Sequence, residues 1–373
     1  MRRVFVTLLA VVLALTAVGT TAAAPAAPKG TLRIAVVSDA TLNPFTFPQQ
    51  IAAQMVSSAI FGKLTRYNPG DMKVVGDLAT AWTPEQDGKA WLLKLRRGVK
   101  WHDGQPFTAA DVKFTLESIV NPKVKALYRS ALNRVQRVDI VDDYTVRVHM
   151  SEPFPSFPIV VGWWIIPMTP KHLLDGKDLN DLSDFAQKPV GTGQFVFKEA
   201  VKASHVLVEA NMNYWAGPPK LKNVVFKVLP DVNTIMAQFR AGELDLAQVE
   251  AVNMEALKGV PHMRFRLTEQ PSTFFIALNN TRFPFTDRRV RMAMMYGLNR
   301  DAIIKQIYKN TARIAGNPYA KAFGQFVNPA LKPYPYDVAR AKKLLAEAGF
   351  KPGAGGILEK DGKPLAFELM VDR

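Results

Sequence analysis

The sequence predicts an α/β protein in which helices and strands mix around inserted antiparallel pieces, and three observations carry that prediction. Apolar residues recur with period 2 in some segments and with helical spacing in others, without a strict strand-helix-strand rhythm. At roughly 150 residues per domain, a chain of 373 residues can bury more than one core. Hydrophobic residues at 48% and charged residues at 21% are ordinary globular values, which exclude a disordered or fibrous chain.

In chain order, Met1-Arg2-Arg3 precedes an apolar run from Val4 to Val18 and a small-residue stretch from Gly19 to Ala27. Positive, apolar and small segments in that order read as a cleavable export signal, expected to occupy residues 1–26. The apolar run is shorter than the about 20 residues a bilayer span needs. Thr31 to Val37 reads as a first core strand running into the polar loop Ser38-Asp39-Ala40-Thr41-Leu42-Asn43-Pro44. Gln50 to Phe61 has the apolar spacing of a covering helix, and Gln86-Asp87-Gly88 separates two strand-like pieces between Trp82 and Val99. Thr108-Ala109-Ala110-Asp111 has the form of a capping box opening a helix that stops at Asn121-Pro122. Tyr144, Val146, Val148 and Met150 alternate with polar residues, as a half-buried strand requires. Further strands are expected at Phe195 to Phe197, Val206 to Glu209, Val224 to Val228 and Phe274 to Leu278, and an alternating one from Leu365. Helices are expected at Val232 to Ala241, Asp287 to Leu298, Asp301 to Tyr308 and Asp337 to Ala348, the last capped by Asp337 and ended by Gly349.

The chemistry the chain can carry is narrow. Zero cysteines exclude disulfides, thiolate metal sites, cysteine nucleophiles and a thioether lipid anchor. The five histidines, His102, His149, His172, His205 and His262, show no metal-ligand spacing, so no metal or other cofactor is expected. A net charge of +16 would attract any polyanion, but the 48 Lys and Arg are scattered without a basic stripe, and nucleic acid is not expected as a partner. His102-Asp103 invites an acid-base reading, yet the pair sits in a turn before Gly104 and no G-x-S-x-G elbow occurs; turn residues are the preferred reading. Gly191-Thr192-Gly193 lacks the third glycine and following helix of a nucleotide loop and reads as a tight chain reversal. The cations Arg282, Arg288, Arg289, Arg291, Arg300, Lys305, Lys309 and Arg313 read as a solvated face sooner than a partner surface.

Taken together, several blocks resemble the bacterial extracellular solute-binding proteins of the peptide and nickel family, family 5, the receptors of ATP-binding-cassette (ABC) importers. The most specific runs from Leu78-Ala79-Thr80-Ala81-Trp82 through Asp87-Gly88 to Leu95-Arg96-Arg97-Gly98-Val99-Lys100-Trp101-His102-Asp103-Gly104-Gln105-Pro106-Phe107-Thr108-Ala109-Ala110-Asp111-Val112. Gly191 to Phe195, Asn211 to Tyr214, Arg240 to Asp245, Phe274 to Asn279, Asp287 to Asn299 and Ala341 to Gly349 follow in the family's order. The resemblance implies a two-lobed periplasmic binding protein fold of type II with an inserted small α+β domain. Lobe I would comprise residues 27–63 and 190–270, the insertion 64–189 and lobe II 271–373, with Glu269-Gln270-Pro271-Ser272 as the first hinge crossing. Family members carry more chain after the position of Arg373, so lobe II is expected to be incomplete and the aspartate that anchors a peptide's amino terminus to lie beyond it.

What the resemblance implies is capture without bond-breaking: a monomeric, exported periplasmic receptor holds a peptide or other small solute between its lobes and hands it to an ABC permease in the inner membrane. Recognition in this family leans on the peptide main chain, with roomy pockets for side chains. The expected ligand-binding residues are Ser38, Asp39, Thr41 and Asn43 after the first strand, Trp163 near the cleft and Asn279 beyond the first hinge crossing. A nickel chelate, an oligosaccharide or an opine in the same fold, an exported hydrolase, and an envelope chaperone or sensor are the competing readings.

Overall fold

The computed structural model describes residues 27–46, 50–68, 71–163, 166–249, 253–254, 263–266, 272–319, 324 and 327–370. The expected export signal at 1–26 and Glu269, Gln270 and Pro271 of the expected hinge crossing lie outside the described residues.

The first part of the chain runs β1 (Thr31–Val36), α1 (Ile51–Ile60), β2 (Thr65–Tyr67), β3 (Val74–Gly76), β4 (Ala79–Glu85), β5 (Ala90–Leu95), α2 (Ala109–Val120), β6 (Val135–Asp142) and β7 (Thr145–Met150). Three short helices follow, α3 (Phe157–Val160), α4 (Lys171–Leu174) and α5 (Ser183–Gln187). Next come β8 (Phe195–Val201), β9 (His205–Ala210), β10 (Asn223–Val228) and α6 (Val232–Arg240). The last part contains α7 (Arg288–Gly297), α8 (Arg300–Gln306), α9 (Val338–Glu347) and three short strands, β11 (Lys351–Pro352), β12 (Leu358–Lys360) and β13 (Lys363–Pro364).

A sheet ordered β1-β10-β9-β8 brings the start of the chain against residues nearly two hundred positions on, with β1 parallel to β10 from Thr31↔Asn223 to Val36↔Val228. Arg33 clasps the Asp245 carboxylate through Nε at 2.9 Å and Nη2 at 2.8 Å, beside a parallel bridge between Ile34 and Leu246. The sheet between these two visits to the β1 neighbourhood is antiparallel and ordered β4-β5-β7-β6. Alternating apolar side chains of this second sheet face α2, whose Val112, Leu116 and Ile119 are buried. Both sheets drain into one continuous core that includes Ile34, Leu78, Leu93, Trp101, Phe107, Phe157, Val208 and Phe226. Each such side chain contributes roughly 1.5–3 kcal/mol by leaving water.

Helix α1 lies close to this core because it presents small residues, Ala52, Ala53 and Ala59, beside Val56 and Ile60. Helix α2 starts as its capping residues dictate: Thr108 N–H donates to Asp111 Oδ2 at 2.9 Å. The last part of the chain has cores of its own, one joining Phe285, Val290, Ala348 and Phe350 and one joining Ala293 of α7 to Ala341 and Leu344 of α9. Asp287, Asn299 and Asp337 cap α7, α8 and α9 by accepting from Arg289, Ala302 and Arg340 N–H groups.

Two expected strands are absent. Phe274 to Leu278 form no strand, with Phe274 83% exposed, and of the described residues from Leu365 on only Leu365 bonds across to one, its N–H donating to the Leu358 carbonyl of β12 at 2.6 Å. A strand is held by its neighbour's ladder, so pattern alone does not make one. Conversely, β6 is a strand the sequence pattern hid. Its register against β7 shifts between Val135 and Arg137 and again between Ile140 and Asp142, which breaks the period-2 signal.

Candidate functional site

The loop after β1 is anchored by its apolar members and presents polar ones. Leu42 and Phe45 are buried in the main core, while Asp39 and Thr41 are exposed and Ser38 is half-buried. Ser38 Oγ donates to Gln50 Oε1 at 3.4 Å, and Asp39 Oδ1 accepts from Ala203 N–H at 2.8 Å, which ties the loop to the β8–β9 turn. Asn43 faces inward, and its Oδ1 accepts from Phe45 N–H at 2.9 Å, closing an Asx turn.

Trp163 is 41% exposed, and its Nε1–H donates to the Tyr67 hydroxyl at 2.7 Å. Tyr67 in turn donates to the Ile159 carbonyl at 3.2 Å. Burial pushes the Tyr67 phenol above its ordinary pKa, against the bond from Trp163. The result is a partly exposed indole held in place by two hydrogen bonds. Asn279 is exposed and its Oδ1 accepts from both Thr281 N–H and Thr281 Oγ1, at 3.0 and 2.8 Å. Among the described residues no hydrogen bond joins the Ser38–Asn43 loop, Trp163 and Asn279 to one another.

The histidine turn is a brace. His102 N–H donates to the Gly191 carbonyl at 2.9 Å, Gly191 N–H donates to His102 Nδ1 at 3.2 Å, and Nε2 meets the Gly193 carbonyl at 3.1 Å. Those partners fix a neutral imidazole with the proton on Nε2, and burial lowers the pKa of His102. Gly191 and Gly193 are glycines because a Cβ there would lie 2.0 and 2.5 Å from the carbonyl oxygens of Ile60 and Ala59. The loop is therefore packed on the C-terminal end of α1. Asp103 bonds a different ring, His172 Nε2, at 2.6 Å.

Several cations of the basic face are internal struts. Arg289 holds Asp287 and the Glu347 carbonyl, Arg291 donates to the Phe285 carbonyl at 2.7 Å, and Arg300 donates to the Tyr334 carbonyl. One constellation escaped the sequence reading: Ser204 Oγ lies 3.0 Å from His205 Nδ1, and His205 Nε2 lies 3.2 Å from Glu199 Oε1. Ser204 and Glu199 are open to water, where a serine alkoxide and an oxyanion gain nothing from a low dielectric. Its signal was two sequence neighbours on a hairpin, which no catalytic spacing rule covers. Among the described residues no group of three or more His, Asp or Glu is placed to hold a metal, and no helix is long and apolar enough to cross a membrane.

Two sheets sharing a core, a separate helical part and polar loops at strand ends define the class, a two-lobed solute-binding fold with an inserted subdomain. The family model for bacterial extracellular solute-binding proteins, family 5 Middle, matches residues 73–373, and the chain belongs to that family. It is 28% identical to the oligopeptide-binding protein AppA of Bacillus subtilis, over 92% of this chain and 64% of AppA. The solved AppA structure, in complex with a nonapeptide, matches 90% of this chain and 67% of that one with a TM-score of 0.76. The glutathione-binding protein GsiB of Pectobacterium atrosepticum is 31% identical, over 91% of this chain and 66% of its own. NikA from Brucella suis, in complex with Fe(III)-EDTA, is 27% identical with a TM-score of 0.77 over 90% of this chain and 68% of its own. The chain thus spans about two thirds of the length of these relatives.

Proposed function

We infer that this protein is a capture receptor of an ABC importer, exported to the periplasm by a cleaved signal and acting as a monomer. It holds a peptide or peptide-like solute between two lobes and delivers it to an inner-membrane permease. It performs no covalent chemistry on its cargo. The family match over residues 73–373, together with backbone agreement with a receptor holding a nonapeptide, carries this reading. The Ser38-Asp39-Thr41 loop and the exposed part of Trp163 are the proposed contacts in this chain, while Asn43 and Asn279 act by holding turns. The solute closes the lobes only by as much as it binds the closed form better than the open one.

The agreement with NikA holding an iron chelate favours a second reading, a chelated metal as cargo, in which the chelator supplies the ligands that the described residues do not group together. Calorimetric titration of the purified protein with mixed di- to hexapeptides tests the first reading. Saturable heat with one peptide class supports it. No heat with peptides, and saturable heat with a metal chelate, transfers the assignment to the second.

A further inference from the structure

One end of the inserted sheet carries a groove that none of the proposed solute contacts lines. It is open to solvent, encloses about 460 Å³ and is lined by Lys94, Arg96, Arg97, Asp142, Tyr144 and Thr145 among others. It forms where β4 begins, β5 ends and β7 begins. The β4–β5 ladder slips between Ala79 and Ala81, and the β6–β7 ladder slips between Ile140 and Asp142. Two bulges at one end of a sheet spread the strands and re-aim their side chains.

The cations there are held in place by uncharged groups. Arg96 stacks over the Trp215 ring at 3.7 Å and donates Nε–H to the Asp77 carbonyl at 2.9 Å. Arg97 stacks over the Tyr144 ring at 4.6 Å, and Lys94 Nζ donates to Thr145 Oγ1 at 3.0 Å. Stacking occupies the face of a guanidinium and leaves its edge N–H groups to donate in plane. Elsewhere cations meet carboxylates within 4 Å, as Arg33, Arg134, Arg137, Arg147 and Arg289 do. Lys94, Arg96 and Arg97 form no such ion pair with a described carboxylate. The lining carboxylate, Asp142, is engaged by Tyr144 N–H at 2.8 Å and is held below the usual carboxylate range, first by that bond, then by Thr145 and by the charges of Lys94 and Arg97.

The geometry points to a binding site for a small phosphate-class oxyanion in this groove, with Arg97 and Lys94 as its charge-bearing contacts and Thr145 and Tyr144 as its polar and aromatic walls. A tetrahedral anion offers acceptors to an in-plane guanidinium edge and an ammonium together, and each charge-assisted bond is about twice as strong as a neutral one. The anion comes either as free phosphate or as the headgroup of an anionic phospholipid, since both present the same oxygens.

Titration of the intact protein with inorganic phosphate at low ionic strength, alongside cosedimentation with phosphatidylglycerol vesicles, tests this. Arg97→Gln and Lys94→Gln are expected to weaken binding by about tenfold each, Asp142→Asn to strengthen it, and Arg97→Lys to recover part of what Arg97→Gln loses. Unchanged circular dichroism in all four variants keeps the reading independent of folding. Saturable phosphate binding without vesicle binding assigns the free anion, and vesicle binding alone assigns the headgroup. Binding of neither, or binding that Arg97→Gln leaves unchanged, overturns the site. Peptide capture is read in its own titration, so each reading stands or falls alone.

Discussion

Replacing His102 with Phe removes both hydrogen bonds of a ring that joins the connection between β5 and α2 to the loop packed on α1. Gly191 N–H loses its acceptor at Nδ1, in a position where the Gly191 backbone is pressed on the Ile60 carbonyl and cannot swing out to water. An orphaned buried donor costs roughly 1–3 kcal/mol. The Gly193 carbonyl loses Nε2–H but keeps Asn211 Nδ2 at 2.9 Å, so its share is a single bond of about 0.5–1.5 kcal/mol. The variant should therefore be less stable by about 2–4 kcal/mol at neutral pH, a large part of the roughly 5–15 kcal/mol of a typical domain. The effect also depends on pH. Burial lowers the His102 pKa in the folded protein, with the Gly193 bond and Asp103 opposing, so the unfolded chain takes up this proton first. The wild-type contribution is complete above the unfolded value of about 6.5 and is lost as pH falls from there toward the folded pKa. Urea midpoints at pH 8 and pH 5, with exchange of the Gly191 amide as a local probe, measure both parts. A wild-type to variant difference that stays constant between the two pH values, or stays under about 0.5 kcal/mol throughout, would refute the reasoning.

Gly191→Ala should fail to fold or lose at least about 3 kcal/mol, since its Cβ meets backbone atoms that cannot yield; a midpoint close to wild type in a urea titration would contradict that. Arg289→Ala should return the Asp287 carboxyl from about 2 toward 3.8, read by side-chain NMR titration. The folded value is depressed, so the contribution of this pair is present above 3.8 and fades as pH falls toward about 2. Because the pair lies near the surface, the change in overall stability should be small. Trp163→Phe breaks the bond to Tyr67 without opening the core, so the fold should persist while any solute-induced change in tryptophan fluorescence shrinks sharply. A response of full size in that variant would remove Trp163 from the proposed contacts.

Local signals carried most of the elements. The capping residues expected at Thr108 and Asp337 sit where α2 and α9 begin, and Gly349, with φ of +94°, sits where α9 ends. They were legible because a cap is a bargain among residues a few positions apart. The strand expected at Phe274 to Leu278 failed, and β6 went unseen, because ladders and bulges depend on a partner distant in sequence. The site was legible only as a location. The loop after β1 stood out as polar residues at a strand end, but nothing local revealed that Asn43 turns inward, that Asp39 reaches Ala203 or that Tyr67 supports Trp163.

By itself the sequence determined the class of the protein, several capping and turn residues, the absence of cysteine from these 373 residues and the order of blocks by which its family is known. The tertiary structure decided which groups meet: His102 with Gly191 and Gly193, Asp39 with the β8–β9 turn, and Arg96 and Arg97 on aromatic faces beside a carboxylate. The division is physical. Periodicity and caps are written within a turn or two of chain, whereas a hydrogen bond across ninety residues depends on how sheets and helices stack. That stacking is set by the burial of many side chains together and by no short stretch of the sequence.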